Sequence, residues 1–241
     1  MSKVKSPNQE GHGFAWVLAI VLILAVALVG SIVWKNRGKA EETHLVDRAY
    51  EKVDIDAKLD GDVVTLSSSK TTDATPQVDL YEDYSCPHCG HLAVATDAQM
   101  KDAVQAGKLV VHIHPLHFLD RDNTSGHSHR ALAAALAVAD HGDTSLYWNY
   151  RAMLMEDMEK IYNKWSDDQF ADAAKEMNAP DTVVEDIRKA AYLDRATQAG
   201  KDNAEKLKKE TGKVSSPRVV KDGKDISGTD LENWVEIASQ S

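Results

Sequence analysis

The most strongly apolar part of the chain lies near its N-terminus. Residues 14–34, FAWVLAIVLILAVALVGSIVW, are 21 consecutive positions without a charged side chain, enough to cross a bilayer as a helix. Trp16 and Trp34 lie near its two ends, where aromatic side chains meet the membrane surface. We therefore predict a transmembrane anchor over residues 14–34, after a tail over residues 1–13. A cleaved signal peptide and a buried core helix are the alternatives, but the small residues of a cleavage site lie inside the run and both flanks are basic.

The next part of the chain alternates between polar connections and short apolar runs. We predict a tether and an N-terminal β extension over residues 35–76, with a hairpin turn at Asp60-Gly61-Asp62. Residues 78–81 and 109–116 have the apolar, β-branched character of strands, and residues 90–106 between them are typical of a helix. This strand–helix–strand order predicts a right-handed crossover between two parallel strands.

Helical patterns dominate residues 121–212, and β patterns return after them. Ser166 and Gln169 have the spacing of a capping box at the start of one of these helices. Asp222-Gly223 indicates a second hairpin, and residues 230–239 are predicted to form a final helix. The predicted helices span residues 130–139, 146–158, 166–177, 181–191 and 194–209. We predict a domain formed by residues 77–120 and 213–241, with a helical domain inserted over residues 121–212.

Composition and charge restrict the classes of partner. The apolar fraction of 43% is sufficient for a hydrophobic core. The formal net charge is −10, and residues 1–40 contain five basic side chains and one acidic one, so the remainder carries −14. A domain of that charge is repelled by phosphate backbones, and we expect no nucleic-acid partner.

The chemistry of the chain centres on Cys86-Pro87-His88-Cys89, which holds the only two cysteines. If Cys86 opens the helix, unpaired N–H groups and the helix dipole stabilise its thiolate, and Pro87 fits the first helical turn. Cys89, one turn later, is placed to attack a mixed disulfide on Cys86, so the motif predicts a redox site. A zinc site would need histidines to complete it, and a structural disulfide stabilises mainly by closing a long loop. Both alternatives remain open at this stage.

The order of elements resembles the thioredoxin fold with an inserted helical domain, as in the DsbA family of thiol-disulfide oxidoreductases. The Cys-Pro-His-Cys motif is similar to that of DsbA oxidases, and Ser216-Pro217 stands where the family carries a cis-proline beside its active site. The resemblance covers residues 78–239. With the predicted anchor and no further cysteine, the chain resembles membrane-anchored members of actinobacterial type.

The resemblance implies roles for particular residues. Cys86 and Cys89 would exchange disulfides, and His88 would hydrogen-bond to the Cys86 thiolate or place positive charge beside it. Pro217, after Ser216, would leave room for a client backbone because it lacks an N–H. We expect no cofactor other than the redox-active disulfide Cys86–Cys89, and no metal.

One position departs from the family pattern. Thioredoxin-like proteins usually place a buried acidic residue six positions before the first cysteine, and here that position is Leu80. We therefore hypothesise that Glu82 or Asp83 accepts a proton near Cys89. A solvated carboxylate at the end of the strand is an equally good interpretation of either residue.

Family resemblance implies an activity, its partners and its location. The protein would oxidise reduced, unfolded secreted or envelope proteins. A membrane quinone-linked oxidase of DsbB or VKOR type would then reoxidise its cysteine pair. A reductase or isomerase of the same fold, or an anchored metal-binding module, is the alternative. A Lys/Arg count around the anchor would place the large domain in the cytoplasm, but persistent disulfide chemistry favours residues 35–241 on the extracytoplasmic side of the cell membrane. We expect a monomer.

Overall fold

A computed structural model describes residues 49–240 of the chain. The predicted tail over residues 1–13, the predicted anchor over residues 14–34 and most of the predicted tether lie outside this range. Within residues 49–240, none of the helices has both the length and the apolar character needed to cross a bilayer.

Six strands form one mixed sheet, in the order β1-β2-β4-β3-β5-β6. β3 and β4 pair in parallel, as predicted, and every other pairing in the described sheet is antiparallel. Both predicted hairpins are present, one between β1 and β2 and one between β5 and β6. The strands are β1 (Asp56–Asp60), β2 (Val63–Ser67), β3 (Gln77–Asp83), β4 (Val110–Leu116), β5 (Arg218–Lys221) and β6 (Lys224–Ile226).

Eight α-helices accompany the sheet in the described part of the chain. They are α1 (Pro87–Gln105), α2 (His127–His141), α3 (Thr144–Glu156), α4 (Met158–Ile161), α5 (Asp167–Glu176), α6 (Asp181–Arg188), α7 (Leu193–Thr211) and α8 (Trp234–Ser239). Short 3₁₀ segments occupy Phe118–Asp120 and Gly228–Asn233. The capping box predicted at the start of α5 is confirmed, with both reciprocal hydrogen bonds formed.

Several predicted helix boundaries were wrong, among them that of the helix predicted over residues 181–191, which ends at Arg188. The single helix predicted over residues 146–158 is two helices, because the helix is interrupted at Asp157, between α3 and α4. The helix predicted over residues 130–139 is longer, since Gly126 and Gly142 rather than the ends of the alanine-rich run mark its termini. The first half of the final predicted helix is a 3₁₀ segment, and α8 begins only at Trp234, whose side chain is fully buried.

The sheet separates two apolar layers. Val78 and Leu80 of β3 belong to the larger core, together with both cysteines and the buried side of α1. Tyr81 and Leu116 point the other way, where Leu207 of α7 packs against them. Trp148, Tyr150, Met153 and Met155 are all buried in the larger core, in the way that their helical spacing favours. The end of β3 and the start of α1 are therefore held by packing on both sides.

Gly90 lets α1 approach α3 closely. A Cβ atom at this position would lie 2.6 Å from the carbonyl oxygen of Met155, which is a backbone atom that cannot rotate away. The close packing of the first turn of α1, directly after Cys89, therefore leaves room for glycine but not for a larger residue at this position.

We expect Gly90→Ala to destabilise the protein by about 1–3 kcal/mol, the usual cost of overpacking. In an open helix the same change would stabilise by roughly 0.5–1 kcal/mol, so the sign of the effect is diagnostic. Urea unfolding followed by tryptophan fluorescence measures it. The matched control is Ala98→Gly at an exposed position of the same helix, which should lose only the helix-propensity difference. A more stable Gly90→Ala variant would contradict the prediction.

Candidate active site

The Cys86-Pro87-His88-Cys89 motif lies where β3 meets α1. Cys86 is the N-cap residue of α1, with φ −95° and ψ 112°, and Pro87 occupies the first helical position. The carbonyl of Cys86 accepts the N–H groups of Cys89 at 3.0 Å and Gly90 at 3.2 Å. The predicted position of Cys86 at the helix N-terminus is confirmed.

The two thiols have opposite electrostatic environments. The pKa of Cys86 is lowered to about 5 by a hydrogen bond from Cys89, by the side chain of Ser216, and by the backbone N–H groups of Cys89 and His88, against the effect of burial. The pKa of Cys89 is raised well above its ordinary value, because the thiol is buried and lies beside Cys86. Cys86 is therefore the thiolate and nucleophile of the pair at neutral pH, and Cys89 stays protonated.

Ser216 and Pro217 lie directly against the cysteines. The peptide bond between them is cis, as the resemblance implied. The Cys86 thiol donates to the carbonyl oxygen of Ser216 at 3.5 Å. The hydroxyl oxygen of Ser216 is buried and has no hydrogen-bond partner within the described residues. Its hydroxyl group is thus available to a sulfur that gains negative charge.

His88 acts on Cys86 through its backbone N–H rather than through its ring. The ring is exposed and lies edge-on to the ring of His91, with the two centroids 6.3 Å apart. Both rings line a groove of about 390 Å³, whose other walls include Leu92, Pro217 and Leu231. The motif therefore borders an open groove with apolar and imidazole walls.

Asp83 holds the loop before Cys86 in place. Its carboxylate accepts hydrogen bonds from the Ser128 hydroxyl at 2.5 Å and from the N–H groups of Ser85 at 2.9 Å and Leu119 at 3.2 Å. Burial raises the pKa of Asp83 to about 6, although these hydrogen bonds oppose the shift. Only the backbone N–H of Asp83 meets Cys89, at 3.5 Å from the sulfur.

Glu82 belongs to a buried ion cluster that no motif in the sequence predicts. Both of its carboxylate oxygens accept from Arg151 of α3, at 2.8 and 2.6 Å. Arg151 also donates to Asp97 of α1 at 2.7 Å. The sequence contains a pattern that places Asp97 on the side of Cys89, since Cys89, Ala93 and Asp97 recur every four residues along one helix face. It contains no pattern that places Arg151 there, because only the fold brings α3 next to α1.

His112 and His114, which share one face of β4, form hydrogen bonds with other side chains. His112 lies within hydrogen-bond distance of Thr65 and Gln77, and His114 lies between Asn203 and Asp79. In the described range, no group of three or more His, Cys, Asp or Glu side chains is arranged to hold a metal ion.

Comparison with known proteins places the chain in a family. A thioredoxin family model matches residues 71–237. The structure is similar to the MdbA protein of Corynebacterium diphtheriae, a thiol-disulfide oxidoreductase, with 41% sequence identity and a TM-score of 0.79 over 82% of this chain and 99% of that one. MdbA of Corynebacterium matruchotii is similar at 38% identity and a TM-score of 0.77, over 83% of this chain and 98% of that one.

Two more distant relatives are similar in fold or in part of their sequence. DsbA of Mycobacterium tuberculosis has the same fold, with a TM-score of 0.57 at 21% identity over 74% of this chain and 93% of that one. The serine/threonine-protein kinase PknE of M. tuberculosis is 27% identical over 179 residues, or 72% of this chain, but the match spans only 31% of the kinase. The chain belongs to the thioredoxin family and is a DsbA-like thiol-disulfide oxidoreductase with a mixed α/β thioredoxin-like fold.

Proposed function

We propose that this oxidoreductase donates its Cys86–Cys89 disulfide to reduced, unfolded secreted or envelope proteins during oxidative folding. The main observation in support of this proposal is the lowered pKa of Cys86. A stabilised thiolate favours the reduced form of the pair, which makes its disulfide a stronger oxidant. A fall in pKa from the ordinary 9 to about 5 favours the dithiol at pH 7 by at most about 100-fold, or about 60 mV for a two-electron couple.

The reaction consists of two thiol–disulfide exchanges. A client thiolate attacks the Cys86 sulfur, the Cys86–Cys89 bond breaks, and Cys89 leaves as a thiolate that takes up a proton. The second client thiolate then attacks the client sulfur of the mixed disulfide, and Cys86 leaves with the electron pair. The client loses two electrons and two protons, and the Cys86–Cys89 pair gains both electrons. No cofactor other than this disulfide takes part.

The groove beside the motif is suited to an extended client segment. Pro217 presents no N–H at its edge, and Leu92 and Leu231 give it apolar walls. An unfolded client exposes apolar side chains next to its cysteines, and these can pack there while a client thiolate reaches Cys86. His88 and His91 add hydrogen-bonding groups to the same wall.

Reoxidation requires a second partner. We propose that a membrane quinone-linked disulfide oxidase of DsbB or VKOR type removes the electrons from the dithiol. The proposed anchor over residues 14–34 would keep the enzyme at the membrane, with residues 35–241 on the extracytoplasmic side. The enzyme would act as a monomer. A reductase or isomerase role is the alternative, and it requires a less oxidising pair than the Cys86 environment favours.

The first prediction concerns the reactivity of Cys86. The rate of its alkylation by iodoacetamide should rise with pH through a midpoint at about 5 and reach a plateau, because only the thiolate reacts. Ser216→Ala should raise that midpoint by about one pH unit, the effect of one charge-assisted hydrogen bond. Ser215→Ala is the matched control and should leave the midpoint unchanged, since the Ser215 hydroxyl contacts Arg218. A midpoint near 9 in the unaltered protein would contradict the prediction.

The second prediction concerns the redox potential, which tests the proposed function itself. Equilibration of the full chain in detergent with glutathione buffers should give a potential up to about 60 mV above the about −270 mV of thioredoxin, in the direction of the about −120 mV of DsbA oxidases. The protein should also oxidise a reduced unfolded client, and Cys86→Ala should abolish this turnover. A potential close to that of thioredoxin would reject the donor role in favour of a reductase.

The third prediction concerns location. Protease added to intact cells after removal of the wall should degrade residues 35–241 and leave a membrane-bound fragment that contains residues 14–34. A cytoplasmic marker protein serves as the control for cell integrity. Full protection of the domain from protease would reject an extracytoplasmic location.

A further inference from the structure

A second groove lies beside the cysteine motif, between α1 and the end of α3. Pro87, Gly90 and His91 contribute its α1 wall. Successive residues of a helix are about 100° apart, so this wall lies roughly a quarter turn from the face that carries His88 and Leu92 in the open groove. His91 lines both grooves. The second groove therefore begins beside Cys86, as the open groove does, and follows a neighbouring face of the same helix.

The second groove has an apolar lining and the size of one long side chain. Val94 of α1, Met155 of α3 and Met158 of α4 line it, and Val94 is 66% exposed. Gly90, without a side chain, leaves space between the two helices. The volume of about 150 Å³ equals that of about five water molecules in the liquid. Methionine side chains adapt to the shape of what they contact, so this lining can accept more than one kind of side chain.

The charged residues of the second groove are mostly acidic. Glu156 at the end of α3 and Glu159 of α4 line it, and both are exposed. Lys160 lines it too, but its Nζ lies 3.0 Å from a carboxylate oxygen of Asp157. Three carboxylates and one ammonium sum to −2. The last turn of α3 contains no basic residue, and the carbonyl groups at its end add to the negative potential. A cationic group is therefore the complementary occupant.

Arginine and lysine side chains combine the two properties that the second groove requires. Their aliphatic stems pack on apolar surface while the charged head stays near water. The guanidinium group of arginine also matches the geometry of a carboxylate. An acidic side chain would be repelled, and an apolar one would leave Glu156 and Glu159 without a cation. The remainder of the chain after residue 40 carries −14, which attracts a basic segment from further away.

The length of the second groove indicates which client residue reaches it. The helix rises about 1.5 Å per residue, so Pro87 and Val94 are about 10 Å apart along α1. An extended chain covers that distance in about three residues. A client whose cysteine lies at Cys86 thus brings a side chain about three positions away into the second groove.

We propose that the second groove is a subsite for an arginine or lysine side chain of the client, about three residues from the client cysteine that attacks Cys86. Val94 and Met158 would contact the aliphatic stem, and Glu156 and Glu159 the charged head. The inference rests on the proposed donation of the Cys86–Cys89 disulfide and adds to it a preference among clients. The client segment on the other side of its cysteine lies in the open groove.

The test compares single-cysteine peptides that carry arginine, alanine or glutamate three residues before or after the cysteine, because an extended chain can cross the motif in either direction. Acid quenching and mass spectrometry give the rate at which each forms a mixed disulfide with the oxidised full chain in detergent. Each rate is divided by that of the same peptide with hydroxyethyl disulfide, a neutral reagent that reports the reactivity of the peptide thiol itself. In at least one arrangement, the arginine peptide should react about 3- to 10-fold faster than the glutamate peptide, the effect of one or two partly exposed ion pairs.

Glu159→Lys should abolish this preference, because it changes the summed charge of the second groove from −2 to 0. Glu205→Lys is the matched control, since it makes the same change in net charge at an exposed position of α7 outside both grooves. It should leave the preference intact. Thermal unfolding of both variants checks that they are folded. Equal rates for the arginine and glutamate peptides, a preference that survives Glu159→Lys, or an equal loss in Glu205→Lys would overturn the inference.

Failure of the proposed function is recognised separately, from the redox potential. If a potential close to that of thioredoxin rejects the donor role, the same peptides are offered to the reduced protein as mixed disulfides with mercaptoethanol. The Cys86 thiolate then attacks the peptide sulfur, and mercaptoethanol leaves as a thiolate. A preference for arginine that is lost in Glu159→Lys would retain the subsite in a reductase, and equal rates would reject both.

Discussion

The Cys86 sulfur lies at the open end of α1, and the chemistry of the protein depends on that placement. The first N–H groups of a helix have no partners within the helix, and here Pro87 removes one while those of His88 and Cys89 face the sulfur. These N–H groups stabilise a negative charge on a sulfur that is largely buried. Burial and the neighbouring Cys86 raise the pKa of Cys89, three residues later, although the Asp83 N–H opposes the shift. One helical turn thus produces one thiolate and one thiol.

The surrounding structure keeps this junction rigid with buried polar groups. Asp83 fixes the loop to α2 through Ser128, and Arg151 of α3 ties Glu82 of β3 to Asp97 of α1. Buried charges are costly unless they are paired or hydrogen-bonded, and each of these carboxylates has such a partner. Helices α2 and α3, far along the chain from the motif, therefore position the strand end and the helix start between which the cysteines lie.

The two sides of the cysteine pair meet different surroundings. On the outer side, Cys86 lies beside the cis Ser216-Pro217 bond and an open groove in which a second chain has room to lie. On the inner side, Cys89 is buried in the larger core, and the Glu82–Arg151–Asp97 cluster lies nearby. Cys86 is therefore the cysteine that faces the open groove.

The sequence by itself determined the local features. The strand before Cys86, Pro87 at the first helical turn, both hairpins and the parallel crossover follow from nearest-neighbour chemistry and hydrophobic period, and the structure has all of them. The resemblance also placed the cis-proline correctly at Pro217. These features require only residues close together in the chain, or a motif that carries its own geometry.

Only the tertiary structure decided which distant groups surround the cysteines. Arg151 lies 69 residues from Glu82 in a helix that is mostly buried in the core, and no spacing in the sequence links the two. Lys206 and Glu210 lie among the charged residues of α7, yet Lys206 donates to Asp79 and Tyr81 on the sheet and Glu210 accepts from Tyr81. Such pairs depend on how helices pack across the sheet, and burial then sets their charge states. The sequence thus identifies the nucleophile, and the packing determines which buried groups surround the second cysteine.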